Sequence, residues 1–162
     1  MTLEIERKYL VKGNDWKKLI ISSQDIKQCY LTTSKKEWTT RIRLINNKKA
    51  ILSLKKPINY TIRYEYEYDI PIEDGNSIFN LTDKQIIKTR YSIKFQGGDW
   101  IVDSFKGSNF PLVLAEVEIA SERTLIQAPS WCIKEVTDES KYSNAALAEN
   151  PISKWQNTAT NF

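Results

Sequence analysis

The chain contains no histidine, one methionine and two cysteines in 162 residues. Without histidine there is no Ser-His-Asp or Cys-His relay and no imidazole-ligated metal. Cys29 and Cys132 lie far apart and lack C-x-x-C spacing, so they read as buried reduced thiols rather than a zinc site or a disulfide. No linker, low-complexity segment or domain boundary interrupts the sequence. No apolar run approaches membrane-spanning length, and no charged stretch followed by an apolar one opens the chain, so a cytoplasmic protein is expected. Charge of one sign is also scarce. The 24 basic and 20 acidic residues leave a net charge of +4, too small to argue for nucleic acid on its own. Any catalysis must come from carboxylates, lysine, tyrosine or a hard cation.

What is present suits one folded domain over residues 1–162: 41% of residues are hydrophobic and 27% charged. Strands are expected at Leu3–Val11, Gln28–Thr32, Trp38–Ile45, Lys49–Lys55, Thr61–Ile70, Ile86–Phe95, Trp100–Phe105 and Leu112–Ala120. Asn46-Asn47 and Gly97-Gly98-Asp99 read as hairpin turns. A short helix capped by Asn14 or Asp15 carries Trp16, Leu19 and Ile20 on its apolar face. Ser77–Leu81 reads as helical, and so does Tyr142–Trp155, interrupted by Pro151. Successive strands with short turns imply an antiparallel sheet, with enough strands to close a barrel.

Side chains two apart on a strand share a face. Glu4, Glu6 and Lys8 therefore project together. So do Arg41 with Arg43, Ser53 with Lys55, Lys88 with Arg90, and Glu116 with Glu118. Arg63, Glu65 and Glu67 share a face opposite Tyr64, Tyr66 and Tyr68, and Asp103 follows on the next strand. Taken singly, each group is what a solvated sheet face would carry. Taken together, they are sorted by sign, whereas a solubility surface intersperses signs. Two carboxylates ~5 Å apart at an effective dielectric of ~20 repel by roughly 3 kcal/mol, which a divalent cation would offset.

An inverted arrangement satisfies these observations. The apolar faces turn outward under helices and the charged faces line a barrel lumen. Such a lumen requires water, metal and an anion, since unpaired buried charge is costly. Clustered glutamate oxygens suit Mg²⁺ or Mn²⁺, and clustered Arg and Lys suit phosphates. A linear polyphosphate group meets both needs.

Glu4-Ile5-Glu6-Arg7-Lys8 resembles the ExExK signature of the CYTH superfamily, the triphosphate tunnel metalloenzymes. Seven further segments follow in that family's order: Arg41-Ile42-Arg43, Leu52 to Lys55, Arg63 to Glu67, Ile87 to Tyr91, Trp100 to Asp103, Ala115 to Glu118 and Glu135-Val136-Thr137. The resemblance implies a mainly β, α+β fold: an eight-stranded antiparallel barrel with a charged lumen and helices outside. It implies a metal-dependent triphosphatase with inorganic tripolyphosphate as leading substrate. Class IV adenylate cyclase, thiamine triphosphatase and a non-catalytic triphosphate sensor stay as alternatives. By resemblance, Glu4, Glu6, Glu116 and Glu118 hold Mg²⁺ or Mn²⁺. Asp103 binds metal through water or orients basic side chains. Glu65 and Glu67 hold a second metal or orient water. Lys8, Arg41, Arg43, Lys55, Arg63, Lys88, Arg90 and Lys141 bind phosphate, with Lys8 counted also among the catalytic groups. Tyr30 is either a proton acceptor or a buried core tyrosine. The implied partner is a small-molecule triphosphate, with no nucleic acid and no membrane; a homodimer stays open.

Overall fold

The computed structural model describes residues 2–33 and 37–155. Nine strands and two α-helices follow in order: β1 (Thr2–Val11), β2 (Ile20–Thr32), β3 (Thr39–Ile45), β4 (Lys49–Pro57), β5 (Ile62–Ile70), α1 (Ile72–Asn80), β6 (Gln85–Ile93), β7 (Asp99–Phe105), β8 (Val113–Glu118), β9 (Cys132–Glu135) and α2 (Asn144–Glu149). The sheet runs β5-β4-β3-β2-β6-β7-β8-β1, and β1 pairs back onto β5 to close an eight-stranded antiparallel barrel. Strand β9 adds to the far half of β1, beyond its pairing with β5.

The register decides which face is inside. Residues directly opposite in an antiparallel ladder share a face. Glu4 lies opposite Arg63, Glu65 opposite Lys55, and Glu67 opposite Ser53. Ser53 in turn faces Arg41, Arg41 faces Tyr30, and Arg43 faces Gln28. Lys88 lies opposite Ile26, Arg90 opposite Asp103, and Glu116 opposite both Ile101 and Lys8. Followed round all eight strands, the charged set returns to its own face at Glu4.

The apolar faces point outward. Ile5, Tyr9, Trp100, Val102, Ala115 and Val117 form one outer cluster, covered by Trp16 from a 3-10 turn at Asp15–Leu19 and by Trp131. Helix α1 covers Ile42, Leu44 and Ala50 on β3 and β4. The approach there is close: a Cβ added at Gly75 would sit 2.5 Å from Ala50 Cβ and 2.8 Å from Leu44 Cδ2. Cover is therefore shared between helix and irregular chain, and Tyr64 and Tyr68 on the outside of β5 stay exposed. One end of the lumen is sealed by apolar side chains, where Tyr142 and Leu147 pack on inward-facing Ile86, Phe105 and Leu114.

Several boundaries differ from expectation. The second strand begins at Ile20 because Ser22 to Asp25, polar and exposed, pair with β6 despite showing no alternation. Helix α1 starts at Ile72, directly after Pro71, which supplies the fixed φ of a helix entry. The C-terminal helix is confined to Asn144–Glu149. Ser143 caps it by accepting from the Ala146 N–H at 3.1 Å, and Pro151 follows its end. The expected hairpin at Asn46-Asn47 is present. Both residues have positive φ, 51° and 54°, as a type I′ turn requires. The expected domain span of 1–162 includes residues 156–162, which lie outside the described residues.

Candidate active site

The lumen holds a cavity of about 860 Å³. Its walls carry Lys8, Arg41, Arg43, Lys55, Arg63 and Arg90, interleaved with Glu4, Glu6, Glu65, Glu67 and Glu116, together with Tyr30. These groups come from seven strands and meet because the period-two pattern of every strand turns the same way.

The charges are interlocked. Lys55 Nζ donates to Glu65 Oε2 at 2.6 Å and to Glu4 Oε2 at 2.9 Å. Arg63 reaches Glu6 at 3.2 Å and Glu4 at 3.5 Å. Lys8 Nζ lies 3.4 Å from Glu116 Oε1, and Arg90 is 3.8 Å from the other oxygen of that carboxylate. Burial alone would raise the Glu116 and Glu65 carboxyls. Lys8 and Arg90 hold Glu116 down at about 2, and Lys55 with a hydrogen bond from Glu67 does the same for Glu65. The shared hydrogen bond, then burial, pushes Glu67 up. Glu6 is the outlier: burial, then Glu116 and Glu4, push it up to about 7. Glu6 is thus the least compensated carboxyl of the set.

Among the described residues Arg41 keeps a buried donor to spare. Arg41 is 5% exposed. Its Nη2 donates to Ser53 Oγ at 2.9 Å and approaches Glu67 at 3.9 Å, yet its buried Nε has no hydrogen-bond partner. A buried guanidinium N–H without an acceptor is costly, and an anion in the cavity would supply one.

Four expected residues lie away from the cavity wall. Lys88 is fully buried behind it, with Nζ 2.7 Å from Asp103 Oδ2 and 2.9 Å from Asn144 Oδ1. Asp103 is equally buried, and both its oxygens are taken, one by Arg90 Nε and the other by Arg90 Nη2 and Lys88. It therefore acts on Arg90 rather than reaching into the cavity. Glu118 is exposed at the rim, its carboxyl pushed up by partial burial and then by Glu4, Asp99 and Glu65. Lys141 stands outside, its ammonium 4.8 Å from the Trp155 ring centre and 5.2 Å from that of Tyr142. Lys141, expected at the phosphate, does not line the cavity.

Other wall residues escaped the sequence. Glu139, Ser140 and Ser143 come from the irregular stretch before α2 and Asn144 opens that helix, where no period-two pattern marks an inward face. Gln28 was findable, since it stands two residues from Tyr30 on the same face.

Among the described residues no three acidic or thiol side chains already converge as a chelate. The donors nevertheless suit a hard divalent cation. Glu4, Glu6 and Glu116 offer only oxygen, and burial, then the two neighbouring carboxylates, push the Glu6 carboxyl up, a cost that a bound cation would relieve. A divalent metal, which the family implies, fits these three.

The CYTH domain family model matches residues 2–149. The chain is 36% identical over 158 residues to an inorganic triphosphatase of Acetivibrio thermocellus, covering 96% of this chain and 99% of that one. It is 35% identical over 150 residues to an inorganic triphosphatase of Nitrosomonas europaea, covering 90% and 96%. The solved structure of the inorganic triphosphatase NE1496 superposes with a TM-score of 0.66 at 34% identity, over 91% of this chain and 95% of that one. With barrel, charged lumen and whole-length similarity in agreement, this chain belongs to the CYTH domain family.

Proposed function

We propose that this protein is an inorganic triphosphatase, acting as a single cytoplasmic domain that hydrolyses tripolyphosphate to pyrophosphate and orthophosphate with Mg²⁺ or Mn²⁺. The observation that carries this is the buried Arg41 Nε, without a hydrogen-bond partner among the described residues, in a cavity lined by five further cations and five carboxylates. Relatives named inorganic triphosphatase over nearly their whole length support it.

Lys8, Arg41, Arg43, Lys55, Arg63 and Arg90 take the phosphate oxygens. Arg presents paired N–H groups and Lys a point charge, and together they stabilise the negative charge that grows on the leaving pyrophosphate. Glu4, Glu6 and Glu116 hold the divalent ion, which when bound supplies Lewis-acid polarisation of phosphate oxygens. Glu65, held down at about 2 by Lys55 and a hydrogen bond from Glu67, and Glu67, pushed up by the same bond, orient a water for in-line attack on the terminal phosphorus. Lys88 and Asp103 act from behind the wall by fixing Arg90.

The test is orthophosphate release from tripolyphosphate with Mg²⁺ or Mn²⁺, with ATP as the competing substrate. Release that EDTA stops and that Arg41→Ala loses supports the proposal. Cyclic AMP from ATP with tripolyphosphate untouched overturns it.

A further inference from the structure

Gln28 sits in the lumen wall with none of its surface exposed, and no part of the mechanism above uses it. Its side chain spans two groups that line the cavity. Arg43 Nε donates to Gln28 Oε1 at 3.0 Å, and Gln28 Nε2 donates to the Tyr30 hydroxyl at 2.8 Å. The direction of this chain of bonds is forced. Arg43 has only donors, so the amide oxygen of Gln28 must face it. The amide NH₂ then faces Tyr30, whose oxygen must accept. A hydroxyl that accepts from one side places its own proton elsewhere. The Tyr30 ring is buried among Ile86, Phe105 and Leu112. Among the described residues no protein group accepts from its oxygen, and the open side is the cavity.

We infer that Gln28 is a positioning residue that aims the Tyr30 O–H into the cavity as a hydrogen-bond donor to a phosphate oxygen, with Arg43 locking the amide. This rests on the lumen being a triphosphate site, and it gives Tyr30 a donor role in place of a proton-accepting one. Geometry and ionisation agree. Burial raises the Tyr30 phenol, outweighing Arg41, Arg43 and Lys8, so the proton stays on the oxygen it is meant to donate from. The charged and titratable groups facing that oxygen are those three cations, and Gln28 is its hydrogen-bond partner.

Three variants separate this from a packing role. Gln28→Glu keeps an acceptor for Arg43 but turns the other end into an acceptor, which draws the Tyr30 proton away from the cavity. Gln28→Met removes both bonds and leaves the hydroxyl free to rotate. Tyr30→Phe removes the donor. Steady-state tripolyphosphate hydrolysis should show kcat falling about 10- to 100-fold in Gln28→Glu and Tyr30→Phe, the scale expected for loss of one oriented donor. KM should move less than about threefold in Gln28→Glu, since the Arg43 bond survives. Gln28→Met should lose less kcat than Gln28→Glu. A packing role requires the reverse order, because the carboxylate preserves and strengthens the Arg43 contact. In the Tyr30→Phe background, Gln28→Glu should cost nothing further.

Wild-type turnover with Gln28→Glu as active as wild type, or with the two losses multiplying in the double variant, overturns the role of Gln28 and leaves the triphosphatase reading standing. Absence of wild-type turnover overturns that reading and this inference with it. Should Gln28→Glu fail to fold, the Gln28→Met and Tyr30→Phe cycle decides. A loss that vanishes without the Tyr30 hydroxyl supports the role, and a fully multiplicative loss overturns it.

Discussion

Arg90 grips Asp103 through two parallel hydrogen bonds, Nε to Oδ1 and Nη2 to Oδ2, each 2.8 Å long. Asp103 is wholly buried, and Lys88 closes on it from the other side at 2.7 Å. The two-pronged contact fixes the plane of the guanidinium and so selects which of its N–H groups remain for the cavity.

Removing this carboxylate charge leaves the buried Lys88 uncompensated and Arg90 with only its longer contact to Glu116. Asp103→Asn is expected to destabilise the fold by about 3–5 kcal/mol and to raise KM for tripolyphosphate as Arg90 loses its orientation. Urea denaturation and steady-state kinetics check both. A loss of stability below about 1 kcal/mol would show that the triad is not holding the wall.

Glu6 provides the pH test. Its carboxyl is raised from 4.5 to about 7, so between those values the folded chain binds more protons than the unfolded one. Stability must therefore fall as pH rises across that window. Glu65 and Glu116, both held at about 2, are lost as stabilisers only on the acid side. Above about pH 5.5 they are ionised in both states and add no slope. Lys88, pushed down to about 7 by burial, works the other way, so urea titrations in EDTA from about pH 5.5 to 7.5 are expected to lose roughly 1 kcal/mol net, with Glu67 and Glu118 adding to the loss. Glu6→Gln or added Mg²⁺ should flatten the curve. Stability that rises through this window would contradict the crowding of Glu6 by Glu4 and Glu116.

Much of this was legible because a barrel wall repeats one rule. Glu4, Glu6 and Lys8 announce an inward face, and Arg41, Lys55, Arg63 and Glu116 obey the same period two. Sign sorting then says that the charged side is the inside. What periodicity cannot say is depth. Lys88 and Arg90 share a face, yet Lys88 ends behind the wall because Asp103 and Asn144 draw it there. Nor does it reach irregular chain. Lys141 precedes a buried tyrosine and looks available, but its ammonium lies over two rings outside the lumen. Ile20 to Asp25 join β2 only through their ladder to β6, a long-range pairing that no local pattern records.

Lys141→Ala is accordingly expected to leave kcat and KM for tripolyphosphate within about twofold of wild type. Its cost in stability should be about 0.5–1 kcal/mol, the scale of an exposed cation–ring contact. A tenfold rise in KM would return Lys141 to the phosphate site.

Gly75 tests the packing of α1. A methyl there meets Ala50 Cβ at 2.5 Å and Leu44 Cδ2 at 2.8 Å, so the helix must lift from β3 and β4. Gly75→Ala should cost about 1–3 kcal/mol by denaturation, with kcat of the folded protein preserved because the strain lies outside the barrel. A stabilised variant would mean that the helix sits further from the sheet.

The central claim is that the interleaved basic and acidic groups inside the barrel bind a triphosphate and split it. Phosphorus NMR of the wild-type chain with tripolyphosphate and Mg²⁺ tests it most directly. The prediction is equal growth of pyrophosphate and orthophosphate at the expense of tripolyphosphate, halted by EDTA and absent in Arg41→Ala. Tripolyphosphate signals that persist unchanged with both Mg²⁺ and Mn²⁺ would contradict it.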